Sequence, residues 1–250
     1  PFGWRGVVKG ASLIFFAYIG FDAVSTAAEE AVNPQRDLPI GIIGSLFICT
    51  ILYMVVAGLL TGIAHYSTLN VGAPMSHALL ILGYKSAASF ISVGAIVGLT
   101  TVMLVLFYGL TRIMLAMSRD GLLPKIFSQT NSYTHTPVRI ILLSGICMGL
   151  FAAFVPMHAL TELVNIGTLF AFFMVCAGVL YLHYKRPEIS RAFRTPGMPY
   201  VPILGMMSCF YLIVNLPSIT LMRFVIWMAI GLVVYFSFSY KNSALAKKKV

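Results

Sequence analysis

Charge is scarce in this 250-residue chain: Asp and Glu together number 7, Lys and Arg 17, and charged residues make up 10% of the sequence. Soluble domains carry about 25% charged and about 45–50% apolar residues; here 59% are hydrophobic and the mean hydropathy is +0.92. A water-soluble fold is therefore excluded, and an integral membrane protein is indicated. The net charge of +10 does not mark a nucleic-acid binder. Lys and Arg punctuate long apolar runs instead of clustering on one solvated face, so no nucleic-acid partner is expected. Cysteine is sparse as well. Cys49, Cys147, Cys176 and Cys209 all lie inside apolar runs without Cys-x-x-Cys spacing, which indicates neither a zinc site nor a disulfide framework. The histidines lack a His-x-x-x-His pair, so no metal ligands are assigned. His-Glu-x-x-His, Gly-x-Ser-x-Gly and paired intramembrane carboxylates are also missing, and an enzyme is not expected.

What the chain does have is long apolar runs. About 20 such residues cross a bilayer as a helix, and seven candidates are read at 7–31, 40–64, 86–117, 137–156, 158–183, 199–216 and 221–240. Their connectors alternate in charge. One set holds Arg36, then Arg119, Lys125 and Arg139, then Lys185, Arg186, Arg191 and Arg194, and finally Lys241 and Lys247 to Lys249; the other holds little besides Lys85 and Arg223. The bias of basic residues toward the cytoplasm puts the C-terminus inside and Pro1 outside, as a multi-pass protein of the plasma membrane. The chain begins with Pro and shows no cleavable signal pattern. The expectation is a single transmembrane domain, 1–250, that is the C-terminal part of a longer protein, with an odd number of spans upstream. Membrane lipid and that missing N-terminal half are its expected partners.

One stretch departs from the apolar pattern. In "FFAYIGFDAVSTAAEE", residues 15 to 30, Gly20 and Asp22 fall near the centre of the first span. A charged side chain at that depth costs about 2.5–3.5 kcal/mol or more, and faces a cavity or a partner. Glycine weakens a helix by about 1 kcal/mol relative to alanine and opens backbone angles that other residues resist. Together they predict a helix broken at mid-membrane, whose freed backbone groups hold a polar ligand. The alternative is one kinked helix whose Gly20 allows close packing and whose Asp22 bonds a neighbouring span.

The sequence that follows, "EEAVNPQRDLPIGI" at 29 to 42, together with "GLTRIMLAMSRDGLLP" at 109 to 124, "TPV" at 136 to 138 and "LVNIGTLFAF" at 163 to 172, resembles the amino acid–polyamine–organocation transporter superfamily, most closely its cationic-amino-acid-transporter branch. The resemblance covers almost the whole chain, which looks like spans six to twelve of a twelve-span permease. It implies an all-α membrane fold in which residues 1–183 form the second five-helix repeat of an inverted pair and 184–250 supply two further helices and a basic tail. It implies amino acid transport, with the proton as the expected coupling ion and no cofactor. By the same resemblance the carbonyls around Ala17, Tyr18 and Ile19 receive the substrate's α-ammonium and Phe16 closes over the ligand. Ile19 lines the side-chain pocket, Gly20 supplies the break, and Asp22 lies just past it, placed to bias protonation or favour a basic substrate. Thr100 and Thr101 on the third span are candidates for an ion or coupling position. The other half of the substrate site lies on a span that precedes these residues.

A seven-helix receptor or sensor is the competing class. The last span has no lysine for a retinal Schiff base, and Asp-Arg-Tyr and Asn-Pro-x-x-Tyr do not occur. Four further positions have plainer readings. Asn165, Gly167 and Thr168 fit a helix interface, and Glu162 falls toward a span end with water in reach.

Overall fold

The computed structural model describes residues 3–21, 25, 32–131, 136–188, 193 and 195–243. Among the described residues all regular structure is helical. The chain forms two compact units, Gly20–Leu110 and, discontinuously, Pro1–Ile19 with Thr111–Val250.

The first unit holds α2 (Pro34–Ile63), α3 (Pro74–Ile81) and most of α4 (Lys85–Arg119). α2 and α3 both start with Pro at the first turn, where its missing N–H removes nothing the helix would have used. Asp37 lies in the first turn of α2, where the helix dipole favours a negative charge. α3 is a short helix within the 65–85 connector. It ends on Gly83, at φ +84°, with Gly83 N–H donating to Leu80 O and Tyr84 N–H to Leu79 O, both at 3.0 Å. That pair of bonds satisfies carbonyls the helix end would otherwise orphan. Ser76 Oγ and Ser92 Oγ, 2.8 Å apart, tie α3 to α4.

The second unit is built around α6 (Met157–Lys185). Its other elements are α1 (Gly3–Ile14), a 3₁₀ turn (Phe15–Tyr18), the end of α4, α5 (Val138–Phe154), α7 (Tyr200–Val214) and α8 (Ser218–Val234), which runs through a π turn (Tyr235–Ser239). α6 packs most extensively on α7, and also on α8, α1 and the 3₁₀ turn. The core is Ile166, Leu169 and Leu216, with Phe15, Leu212, Ile213, Leu221 and Phe224 against it. Small residues let the backbones approach: a β-carbon at Gly205 would meet Cys176 Sγ at 3.0 Å.

Four helices, Pro34–Ile63, Lys85–Arg119, Met157–Lys185 and Ser218–Ser239, are long and apolar enough to cross a bilayer. At 1.5 Å per residue each exceeds about 30 Å. Val138–Phe154 and Tyr200–Val214 are shorter apolar helices, and they occupy two more of the expected spans. They stop before the expected ends because prolines follow. Val155, before Pro156, is extended at φ −104° and ψ 128°, as the residue preceding a proline is driven to be, and Pro217 closes the other run.

Candidate substrate site at the broken first helix

The first helix stops before Gly20. α1 ends at Ile14, the backbone tightens into a 3₁₀ turn over Phe15–Tyr18, and Ile19 N–H closes that turn on Phe16 O at 3.2 Å. Ile19 is then extended, φ −63° and ψ 132°. Gly20 takes φ +122°, a region L side chains rarely enter. Among the described residues no neighbour lies within 4 Å of a β-carbon built there, and the backbone conformation by itself asks for glycine.

Successive residues of a 3₁₀ turn point about a third of a turn apart, and the two phenylalanines divide their roles accordingly. Phe15 faces inward. Its ring meets Phe172 of α6 edge-on at 5.9 Å and packs on the core. Phe16 remains 39% exposed, the disposition a ring needs if it is to close over a ligand. Ala17 is exposed, and Tyr18 and Ile19 are half-buried.

A helix that stops at Ile14 leaves its last four carbonyls without α-helical partners. Asn165 of α6 serves two of them: its Nδ2 donates to Ser12 O at 3.2 Å and to Leu13 O at 3.4 Å, and the residue is wholly buried. Ser12 Oγ donates to Val8 O at 3.1 Å and reaches Leu212 O of α7 at 3.4 Å. The end of the first half-helix is thus pinned to two other helices. Asn165 was legible only as an interface residue; its contact with the break joins positions 153 apart in the chain.

Glu162 is more enclosed than a position toward a span end requires: it is 3% exposed. Thr220 Oγ1 of α8 donates to its Oε2, and His158 Nδ1 lies 3.4 Å from its Oε1. No sequence signal paired Glu162 with Thr220.

Thr100 and Thr101 lie on α4 in the other unit. Each donates its hydroxyl to the carbonyl one turn back, Ile96 O at 2.8 Å and Val97 O at 2.9 Å. Both are exposed, and each oxygen keeps lone pairs for a further donor or cation. Asp22 lies outside the described residues.

Apolar helices of membrane-spanning length, and a first helix that stops ahead of a positive-φ glycine with its end held by buried polar groups, are features found among membrane transporters. The comparisons agree. The sequence profile of the family described as amino acid permease matches residues 1–244, and the chain belongs to that family. It is 48% identical over 99% of its length to the methylthioribose transporter of Bacillus subtilis (strain 168), and 47% over 98% to the branched-chain amino acid permease BcaP of the same organism. It is 42% identical over 75% of its length to the vacuolar cationic amino acid transporter 4 of Arabidopsis thaliana, of which it covers 31%. The chain spans about half of each Bacillus relative, 54% and 53%. The names of these relatives divide among methylthioribose, branched-chain and cationic amino acids, so membership fixes the class of protein and leaves the solute open.

Proposed function

We propose that the full-length protein is a secondary active transporter of amino acids in the plasma membrane, working as a proton-coupled symporter, with the substrate held at the break of the first helix of this chain. Support comes above all from that break: the chain leaves α-helical geometry over Phe15–Tyr18 and passes through a positive-φ glycine immediately afterwards. The carbonyls of Ala17, Tyr18 and Ile19 take the substrate's ammonium group, an acceptor array suited to a three-donor cation. Phe16 covers the ligand and Ile19 lines the pocket. Asp22 exchanges a proton with the substrate cycle, and the hydroxyls of Thr100 and Thr101 offer a position for the coupling ion. A preceding half of the same protein supplies the carboxylate-binding side. Pro1 faces outward and the C-terminus inward.

The test is uptake of labelled L-leucine, L-alanine and L-arginine by the full-length protein in proteoliposomes. At least one should accumulate when an inward proton gradient is imposed and equilibrate when it is not. The amide of Asp22→Asn keeps the size but cannot titrate, so that variant should still bind the transported amino acid while losing much of the pH dependence of uptake. Wild-type pH dependence in the variant makes Asp22 structural; absence of uptake for every amino acid tried overturns the reading.

A further inference from the structure

The buried Glu162 is not used by the substrate site, yet it ties α6 to α8. It lies in the second turn of α6, and its carboxylate is the acceptor for Thr220 at the start of α8. Its one ion-pairing partner among the described residues is His158, a turn earlier on α6 and 79% exposed. The other elements packed on α6 bring Arg5 and Lys9 (α1), Tyr18 (the 3₁₀ turn), Tyr200, Cys209 and Tyr211 (α7) and Arg223 (α8) as charged or titratable groups. Asn165, which holds the carbonyls of Ser12 and Leu13, stands three residues beyond Glu162, on the same face of the helix.

We propose that Glu162 is a proton-binding site, reached from water through His158, that governs the joint between α6 and α8 and through it the hold of Asn165 on the broken helix. Imidazole is the side chain whose charge ordinarily changes between about pH 5 and 8. An imidazolium at His158 passes its Nδ1 proton to Oε1 of Glu162, leaving a neutral imidazole and a neutral carboxyl. Water at the exposed ring then returns a proton to Nδ1, so the net event is uptake of one proton. The carboxylate can only accept hydrogen bonds, whereas the carboxyl both accepts and donates. The proton sits on Oε1, so Oε2 remains the acceptor for Thr220, now as a neutral carbonyl oxygen; the hydrogen bond loses its charge assistance, and the contact between α6 and α8 weakens with it. The site stands on this geometry; only its consequence for uptake rests on the proton-coupled reading above.

Infrared difference spectroscopy of the full-length protein in bilayers, taken through a pH titration, reads the site without any substrate. Wild type and Asp22→Asn should both develop the carbonyl band of a protonated carboxyl on acidification, and Glu162→Gln should lose that band. His158→Gln, a change at an exposed position, should retain the band but slow its appearance severalfold after a pH jump. In proteoliposomes, Glu162→Gln should flatten the pH profile of amino acid uptake while leaving competition by unlabelled amino acid in place. The same band in wild type and Glu162→Gln, no titrating band in wild type, or an unchanged rate in His158→Gln overturns the proposal. Should Glu162→Gln not fold, the rate in His158→Gln decides alone. Absence of amino acid uptake by wild type overturns the transport reading, and the band still decides the proton site.

Discussion

The side-chain amide of Asn165 lies 3.2 Å from the carbonyl oxygen of Ser12, on the last turn of α1, and both residues are buried. One helix thereby satisfies the broken end of another. Among the described residues the Oδ1 atom of the same amide is buried without a hydrogen-bond partner, so its orientation is set by the two carbonyls that its nitrogen serves.

Replacing Asn165 with Leu keeps the volume but strands those carbonyls. A buried acceptor left unpaired costs about 1–3 kcal/mol. Asn165→Leu should lower the thermal midpoint of the full-length protein in detergent and reduce amino acid uptake together. A midpoint and uptake equal to wild type would remove Asn165 from the support of the break.

The two phenylalanines of the turn should separate binding from stability. Phe16→Ala should weaken uptake with membrane insertion intact; for a cationic substrate the lost cation–π contact contributes about 0.5–2 kcal/mol. Phe15→Ala removes a ring packed on Phe172 and the core, and should cost up to about 3 kcal/mol of stability. Binding by competition and thermal unfolding, measured on both variants, check this. Equal effects on both quantities would contradict the division of roles.

Gly121 should be less replaceable than Gly83, although both close helices in the same way. At Gly121, φ +78°, the N–H groups of Gly121 and Leu122 donate to Ser118 O and Met117 O, and a β-carbon would collide with the backbone carbonyl of Asn242. Ser239 Oγ also donates to Leu122 O at 2.8 Å, fixing the end of α8 to this turn. At Gly83 the same β-carbon meets nothing within 4 Å among the described residues. Gly83→Ala should cost about 1–2 kcal/mol of backbone strain, and Gly121→Ala clearly more. Unfolding midpoints of the two variants measure the difference, and equal losses would show that the contact with Asn242 contributes nothing.

The proposed orientation predicts labelling. Single cysteines placed in the 117–139 and 184–198 connectors should resist an impermeant thiol reagent applied to intact cells, and one at Asn70 should react, since basic connectors stay in the cytoplasm. The reverse pattern would invert the topology.

Much of this protein is settled by local sequence. Long apolar runs dictate helices, because only a helix or a closed barrel satisfies the backbone inside a membrane, and prolines at 34, 74, 156 and 217 stand at their ends. Gly20 announces the break, since a positive φ is open to it and closed to its neighbours. The motif from 29 to 42 carries the family. What the sequence could not say is which polar groups are buried and with whom. A helix apolar all round has no polar stripe to reveal its inward face, so nothing local tells Phe15 from Phe16, or marks Glu162 as covered. Those assignments came with the packing of α6 against α1, α7 and α8, which brings Asn165 to Ser12 across 153 residues and Thr220 to Glu162 across 58. A hydrogen bond between distant segments depends on where whole helices lie, and only the tertiary structure fixes that.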